Sequence, residues 1–179
     1  MIVLRPATLD DVPLPDLWDL ETEVISATSD DPDAPRAFGD TYGPDKSALV
    51  RHDDLYFIAA LDGRPIAGLQ IIDPHTEPTH DWGNIEPHLR AIDIWICNAA
   101  DRGQGFGRQA MRLAIEVCFR DPDVKAIIID PLVSNMRAHT FYQRLGFRPE
   151  GIRERSEDDD VCLVHRLTLE DWRKIFPGE

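Results

Sequence analysis

Cysteine is scarce in this chain of 179 residues. Its three cysteines, Cys97, Cys118 and Cys162, are scattered and lack CxxC spacing, which argues against a disulfide framework and against a structural zinc site. A reduced, cytoplasmic protein is expected. No window approaches the ~20 apolar residues of a membrane span. The opening Met1-Ile2-Val3-Leu4-Arg5-Pro6 has no basic stretch leading into an apolar one, so no signal peptide is expected either. Basic residues are few: 19 Lys and Arg stand against 33 Asp and Glu, for a formal charge of −14. Nonspecific nucleic-acid binding needs a basic footprint and is not expected. What remains is an ordinary globular composition, 42% hydrophobic, with a length that suits one domain at roughly 100–200 residues each.

The acidity is uneven. Residues 1–100 carry 19 acids and 6 bases, whereas residues 101–179 carry 14 acids and 13 bases. A cationic partner would be drawn to the first part, although a solvated acidic surface has the same composition. The near-neutral second part can still concentrate positive charge locally for an anion.

Hydrophobic periodicity and turn residues predict a short strand at Ile2–Arg5 and a helix starting near Leu9-Asp10-Asp11. That helix would carry Leu14, Leu17, Leu20, Val24 and Ile25 at approximately helical spacing. Residues 29–45, rich in Asp, Pro and Gly, read as a loop able to order on ligand binding. A hairpin follows, Leu55–Leu61 and Pro65–Ile72 around Asp62-Gly63. Residues 73–88 form a second polar loop containing Trp82, and Leu89–Cys97 is a strand. Gly105–Phe119 is a helix with Met111, Ile115 and Phe119 on one face; Val124–Asp130 is a strand; Ser134–Leu145 is a helix stopped by Gly146. Phe147–Arg155 and Val161–Leu167 close as a hairpin around residues 156–160. Two hairpins with helical crossovers predict an α/β (α+β) fold with a mixed sheet.

The most informative stretch is Arg102-Gly103-Gln104-Gly105-Phe106-Gly107-Arg108, after a strand and at the opening of a helix. Glycines allow positive φ and close backbone approach. A helix N-terminus offers free N–H groups to an anion, and Arg102 and Arg108 add charge. Together they suit a pyrophosphate. A Walker loop is absent. The dinucleotide GxGxxG spacing also fails, because its third glycine would fall on Arg108 or Ala110.

With Gly105 and Gly107 following Arg102, this stretch resembles the acetyl-CoA loop of the GCN5-related N-acetyltransferases (GNAT). A second block agrees, Asn135-x-x-Ala138-x-x-x-Tyr142-x-x-x-Gly146-Phe147. Leu89–Phe147 further resembles the aminoglycoside 6′-N-acetyltransferases, through Arg90-Ala91-Ile92-Asp93, Asp121-Pro122-Asp123, Asp130-Pro131 and Tyr142-Gln143-Arg144-Leu145. Asp81-Trp82 and the hairpin near Ala59–Ile66 extend the likeness upstream.

The resemblance implies a single N-acetyltransferase domain over 1–179, with a mixed, mostly antiparallel sheet flanked by helices. Residues 1–100 would serve mainly the acceptor and 101–179 mainly acetyl-CoA as co-substrate, without metal. It implies a catalytic base at Asp93, an acid for the leaving thiolate at Tyr142, and a backbone N–H for the carbonyl within Trp95, Ile96 and Cys97. Acetyl-CoA contacts would come from Arg102, Gly103, Gln104, Gly105, Phe106, Gly107, Arg108, Asn135 and Ala138. Strand alternation places Asp93, Trp95 and Cys97 opposite the row Ile92, Ile94, Ile96, so Asp93 could face a cleft. An amine must lose a proton to attack, and a carboxylate can take it directly or through water. Asp81, Trp82 and Asp130 are candidates for holding the other amines of a polycation. The run Glu157–Asp160 is read as a solvated turn or a substrate loop.

The implied function is acetyl transfer to a small cationic amine, an aminoglycoside 6′-amine above all, as in antibiotic resistance. Alternatives are a siderophore-precursor or protein amine, and an acyl-CoA sensor without turnover. No nucleic-acid or membrane partner is expected, and the protein is expected to be a monomer or homodimer.

Overall fold

The computed structural model describes residues 1–34, 55–78, 80–96, 98–154 and 160–177. Cys97, most of the 29–45 loop and the acids at 157–159 lie outside the described residues. The strands are β1 (Ile2–Pro6), β2 (Leu55–Leu61), β3 (Arg64–Ile72), β4 (Leu89–Ile96), β5 (Ala126–Ile129), β6 (Arg148–Glu154) and β7 (Val161–Thr168). The helices are α1 (Pro13–Trp18), α2 (Thr22–Thr28), α3 (Phe106–Phe119), α4 (Met136–Gln143) and α5 (Leu169–Ile175). The strands hydrogen-bond in the order β1-β2-β3-β4-β5-β7-β6, a seven-stranded sheet. It is mixed: β4 and β5 run parallel, while β1–β2, β5–β7 and β6–β7 are antiparallel. A parallel neighbour requires a crossover, and α3 supplies it. Among the described residues no helix is long and apolar enough to cross a membrane.

Contacts divide the chain into two compact units, residues 1–70 with 93–111 and residues 71–92 with 112–179. In the first unit Trp18, Val24, Ile58 and Trp95 form a buried cluster with Leu14 and Tyr56 against it. The single helix expected from Leu9 to Ile25 is instead a 3-10 turn (Leu9–Asp11) followed by α1 and α2. Pro13 opens α1, where a missing N–H costs nothing. The break near residue 20 then resets the helical phase, so Trp18 and Val24 face the core. Leu17 and Leu20, expected on the apolar face, stand 64% and 59% exposed. The 3-10 turn is held by Asp11, which accepts from Thr8 N (2.8 Å) and pairs with both Arg5 Nη atoms at 2.7 Å. The Arg5 hydrogen bond holds the Asp11 carboxyl down at about 2.

In the second unit Leu89, Ala91, Ala126 and Ile128 form a cluster packed by Trp82 and Ile85. The helix expected over Ser134–Leu145 is the shorter α4, and Gly146 follows it at φ +97°. α4 and β7 share a buried histidine pair, His139 and His165, that composition did not single out. His139 Nδ1 is 2.9 Å from His165 Nε2, and His139 Nε2 is 3.2 Å from the Val133 carbonyl. The Val133 carbonyl can only accept, so His139 Nε2 carries a proton. His165 Nδ1 has no hydrogen-bond partner among the described residues. Burial first, and then the charge of His139, push the His165 pKa below 6.5. The folded state therefore resists a proton that the unfolded chain takes up. This contribution to stability is present above about 6.5 and is lost as pH falls below it. The melting temperature should fall between about pH 7.5 and 5.5, and His165→Gln should flatten that slope in a thermal-melt series.

Candidate active site

The glycine loop is built to expose backbone. Gly103 and Gly105 have φ of +75° and +83°, and a Cβ on either would meet nothing within 4 Å. Residues with a Cβ rarely adopt that conformation. Gly103, Gln104, Gly105 and Arg108 are exposed, Phe106 is half-buried and Gly107 is buried. The loop opens α3, which has 14 residues and no acid in its first turn. Unpaired N–H groups at its start favour an anion. These features fit the pyrophosphate of a coenzyme A.

Arg102 has a different place from the expected one beside the phosphates. Its Nε donates to the Ile96 carbonyl at 3.1 Å, and its Nη1 is 2.9 Å from a Glu23 carboxylate oxygen. Glu21 lies 3.9 Å from its Nη2. Arg102 thus ties the loop to the end of β4 and to α2, and the exposed cation of the loop is Arg108. A second tie was missed from sequence. Asp101, 5% exposed, takes both Arg64 Nη atoms at 2.8 Å. The Arg64 hydrogen bond is the main cause that lowers the Asp101 pKa.

β4 departs from the expected division into a core face and a cleft face. Ile92 is buried, but Ile94 and Ile96 are half-buried and Trp95 is buried. Both faces of this interior strand are covered, as befits a strand flanked on each side. Asp93 is half-buried between them. Trp95 packs on Gly68, where an added Cβ would lie 2.6 Å from the indole Cε2. Beside it is a small cavity of about 20 Å³ whose lining includes Trp18, Tyr56 and Ile58. Gly68→Ala should overpack this contact at about 1–3 kcal/mol, read as a lower melting temperature.

In the second unit Asn135 caps α4, its Oδ1 accepting from Ala138 N at 3.0 Å. What Asn135 can offer a ligand is the pair of hydrogens on Nδ2. Tyr142 is buried, with its ring edge-on to Phe141 and Phe147 at 5.1 and 5.9 Å.

The fold brings the three acceptor candidates of this unit together around Arg153, a residue the sequence reading passed over. Arg153 Nη2 lies 2.6 Å from Asp130 Oδ2 and 3.0 Å from Asp81 Oδ2. Its Nε is 3.1 Å from Asp130 Oδ2, and Nη1 donates to the Asp81 carbonyl. The guanidinium carbon sits 4.3 Å over the Trp82 ring. Burial is the largest influence on Arg153 and favours its neutral form, but Asp130 and Asp81 together outweigh it and raise the pKa. Neighbouring Arg166 is clasped by Glu150 and Glu86, each at 2.9 Å.

The chain is similar to several known proteins. The family described as "Acetyltransferase (GNAT) domain" matches residues 10–154. The aminoglycoside N(6′)-acetyltransferase type 1 of Klebsiella pneumoniae is 34% identical over 131 residues, 72% of this chain and 65% of that protein. The chain thus spans just under two thirds of the length of that relative. The kanamycin resistance protein of Rhizobium radiobacter is 39% identical over 79 residues, 44% of this chain and 73% of that protein. The structure of AAC(6′)-Ib with ribostamycin and coenzyme A superposes with a TM-score of 0.82 at 25% identity, covering 99% of both chains.

Proposed function

The chain belongs to the GNAT acetyltransferase family, and from that premise we propose that it is an acetyl-CoA-dependent N-acetyltransferase acting on the primary amine of an aminoglycoside or similar cationic amine. The observation that carries the reading is the exposed, positive-φ glycine loop at the start of α3, in a chain that resembles aminoglycoside N(6′)-acetyltransferases. Backbone N–H groups over 103–108, with Arg108, hold the pyrophosphate of acetyl-CoA, and Asn135 and Ala138 contact the rest. Arg102 positions the loop. The bound co-substrate supplies an acetyl group on a thioester.

The chain's residues do the proton work. Asp93 takes the proton the amine must shed, directly or through a water, and orients the nitrogen. A backbone N–H within Trp95–Cys97 bonds to the carbonyl oxygen as charge develops there. Tyr142 gives its phenolic proton to the departing sulfur. The N–C bond forms, the C–S bond breaks, and a free thiol leaves. Cys118 and Cys162 are both buried, and this reading places the protein in a reducing cytoplasm.

The test is thiol release from acetyl-CoA over a panel of kanamycin-type aminoglycosides, polyamines, lysine derivatives and peptides. Release with aminoglycosides that carry a 6′-amine, lost when that amine is absent, is the expected result. Release with another amine alone would move the acceptor. No release with any amine, with acetyl-CoA still bound, would contradict the proposal.

A further inference from the structure

Arg153 sits where a substrate cation would. Two carboxylates, Asp81 and Asp130, converge on its Nη2 at 3.0 and 2.6 Å, and Trp82 lies against its face at 4.3 Å. An anionic pair with an aromatic wall is also what holds an ammonium group on a sugar ring. The arginine itself is withdrawn from water, with its side chain 15% exposed and that of Asp130 14%. Yet Trp82 and Arg153 also line an open groove of about 230 Å³, together with Ile85, Val164, Glu150 and Arg166. The guanidinium therefore borders space large enough for a sugar ring while saturating the acids that would attract it.

We propose that Arg153 is a specificity-determining residue: its guanidinium occupies the Asp81–Asp130–Trp82 pocket as a built-in cation, so a polycationic acceptor must compete with the protein's own arginine there. This rests on the reading of Asp81, Trp82 and Asp130 as acceptor residues. Two acids and one arginine leave this cluster one net negative charge instead of two, which weakens its pull on a second ammonium group. Having to displace Arg153 weakens the binding of a polycationic aminoglycoside, whereas an amine with only the reacting charge and a neutral face toward Trp82 escapes that loss. Polycations bind in proportion to their ability to displace Arg153. No bond is made or broken by this residue; it acts only on which amine is held.

The test measures binding rather than turnover, so it stands apart from the catalytic proposal. Calorimetric titration would compare kanamycin with a monoamine, methyl 6-amino-6-deoxyglucoside, on coenzyme A-saturated wild type, Arg153→Met and Arg153→Gln. Methionine keeps an apolar stem against Trp82; glutamine keeps a hydrogen bond to a carboxylate and carries the test if the methionine variant fails to fold. The expected result is a kanamycin Kd about tenfold or more lower in the variants, with the monoamine Kd little changed. An unchanged or higher kanamycin Kd in a folded variant, or an equal shift for both amines, would overturn the proposal. Absence of turnover with tighter kanamycin binding in the variants would support Arg153's role while contradicting the catalytic reading.

Discussion

Asp93→Asn is expected to lower kcat by about 10²–10⁴-fold, the range for removing a general base. Asparagine has the same shape and can still orient an amine, but it cannot accept its proton. Asp93 is half-buried on an interior strand. The substitution removes a charge and leaves the packing volume nearly unchanged, so folding should survive it. Acetyl-CoA binding, assigned to the glycine loop, should stay within about twofold. The loss should therefore fall on kcat. A variant with wild-type kcat would remove Asp93 from the mechanism, whereas a large rise in the acetyl-CoA Kd would mean that it supports the co-substrate site.

Gly105→Val carries the second large effect, on binding. The Gly105 φ of +83° costs a β-branched residue about 1–2 kcal/mol. A Cβ there meets nothing within 4 Å, so the free protein gains strain but no clash. The new side chain instead projects into the space assigned to the pyrophosphate. The expected outcome is a modest loss of melting temperature with a rise of about ten- to a hundredfold in the acetyl-CoA Kd. Unaltered co-substrate affinity in Gly105→Val would detach the loop from acetyl-CoA.

The parts of the fold that were legible in sequence are those written in local pattern. Glycines between Arg102 and Arg108 announced the loop. Apolar spacing over Met111 and Ile115, both fully buried, announced α3. Gly146 marked the end of α4 because a positive-φ stop is a property of a single position, whereas the start, expected at Ser134, falls after the Asn135 cap. The misses are of another kind. Leu17 and Leu20 fit a helical face on paper, but the break before α2 turned them to solvent. Alternation along β4 put Ile94 and Ile96 on a core face and Trp95 on a cleft face, yet Ile94 and Ile96 are half-buried and Trp95 is buried beside Gly68. Arg102, expected at the phosphates, is held by the Ile96 carbonyl and Glu23, partners that the loop's own sequence does not announce. Arg153 meets Asp81 across 72 residues of sequence, and His139 meets His165 across 26. No local signal carries contacts at that distance; only the sheet order brings them together. Arg153 also bears on function, since Asp81 and Asp130 were read as open acids and are engaged by a cation of the chain itself.

The most direct test is the product. Purified protein would be incubated with acetyl-CoA and kanamycin, and the acetylated position read by mass spectrometry and NMR. The account predicts one added acetyl group, on the 6′-nitrogen, with one thiol released per product and the reaction lost in Asp93→Asn. Unmodified kanamycin, or acetylation on oxygen, would contradict it.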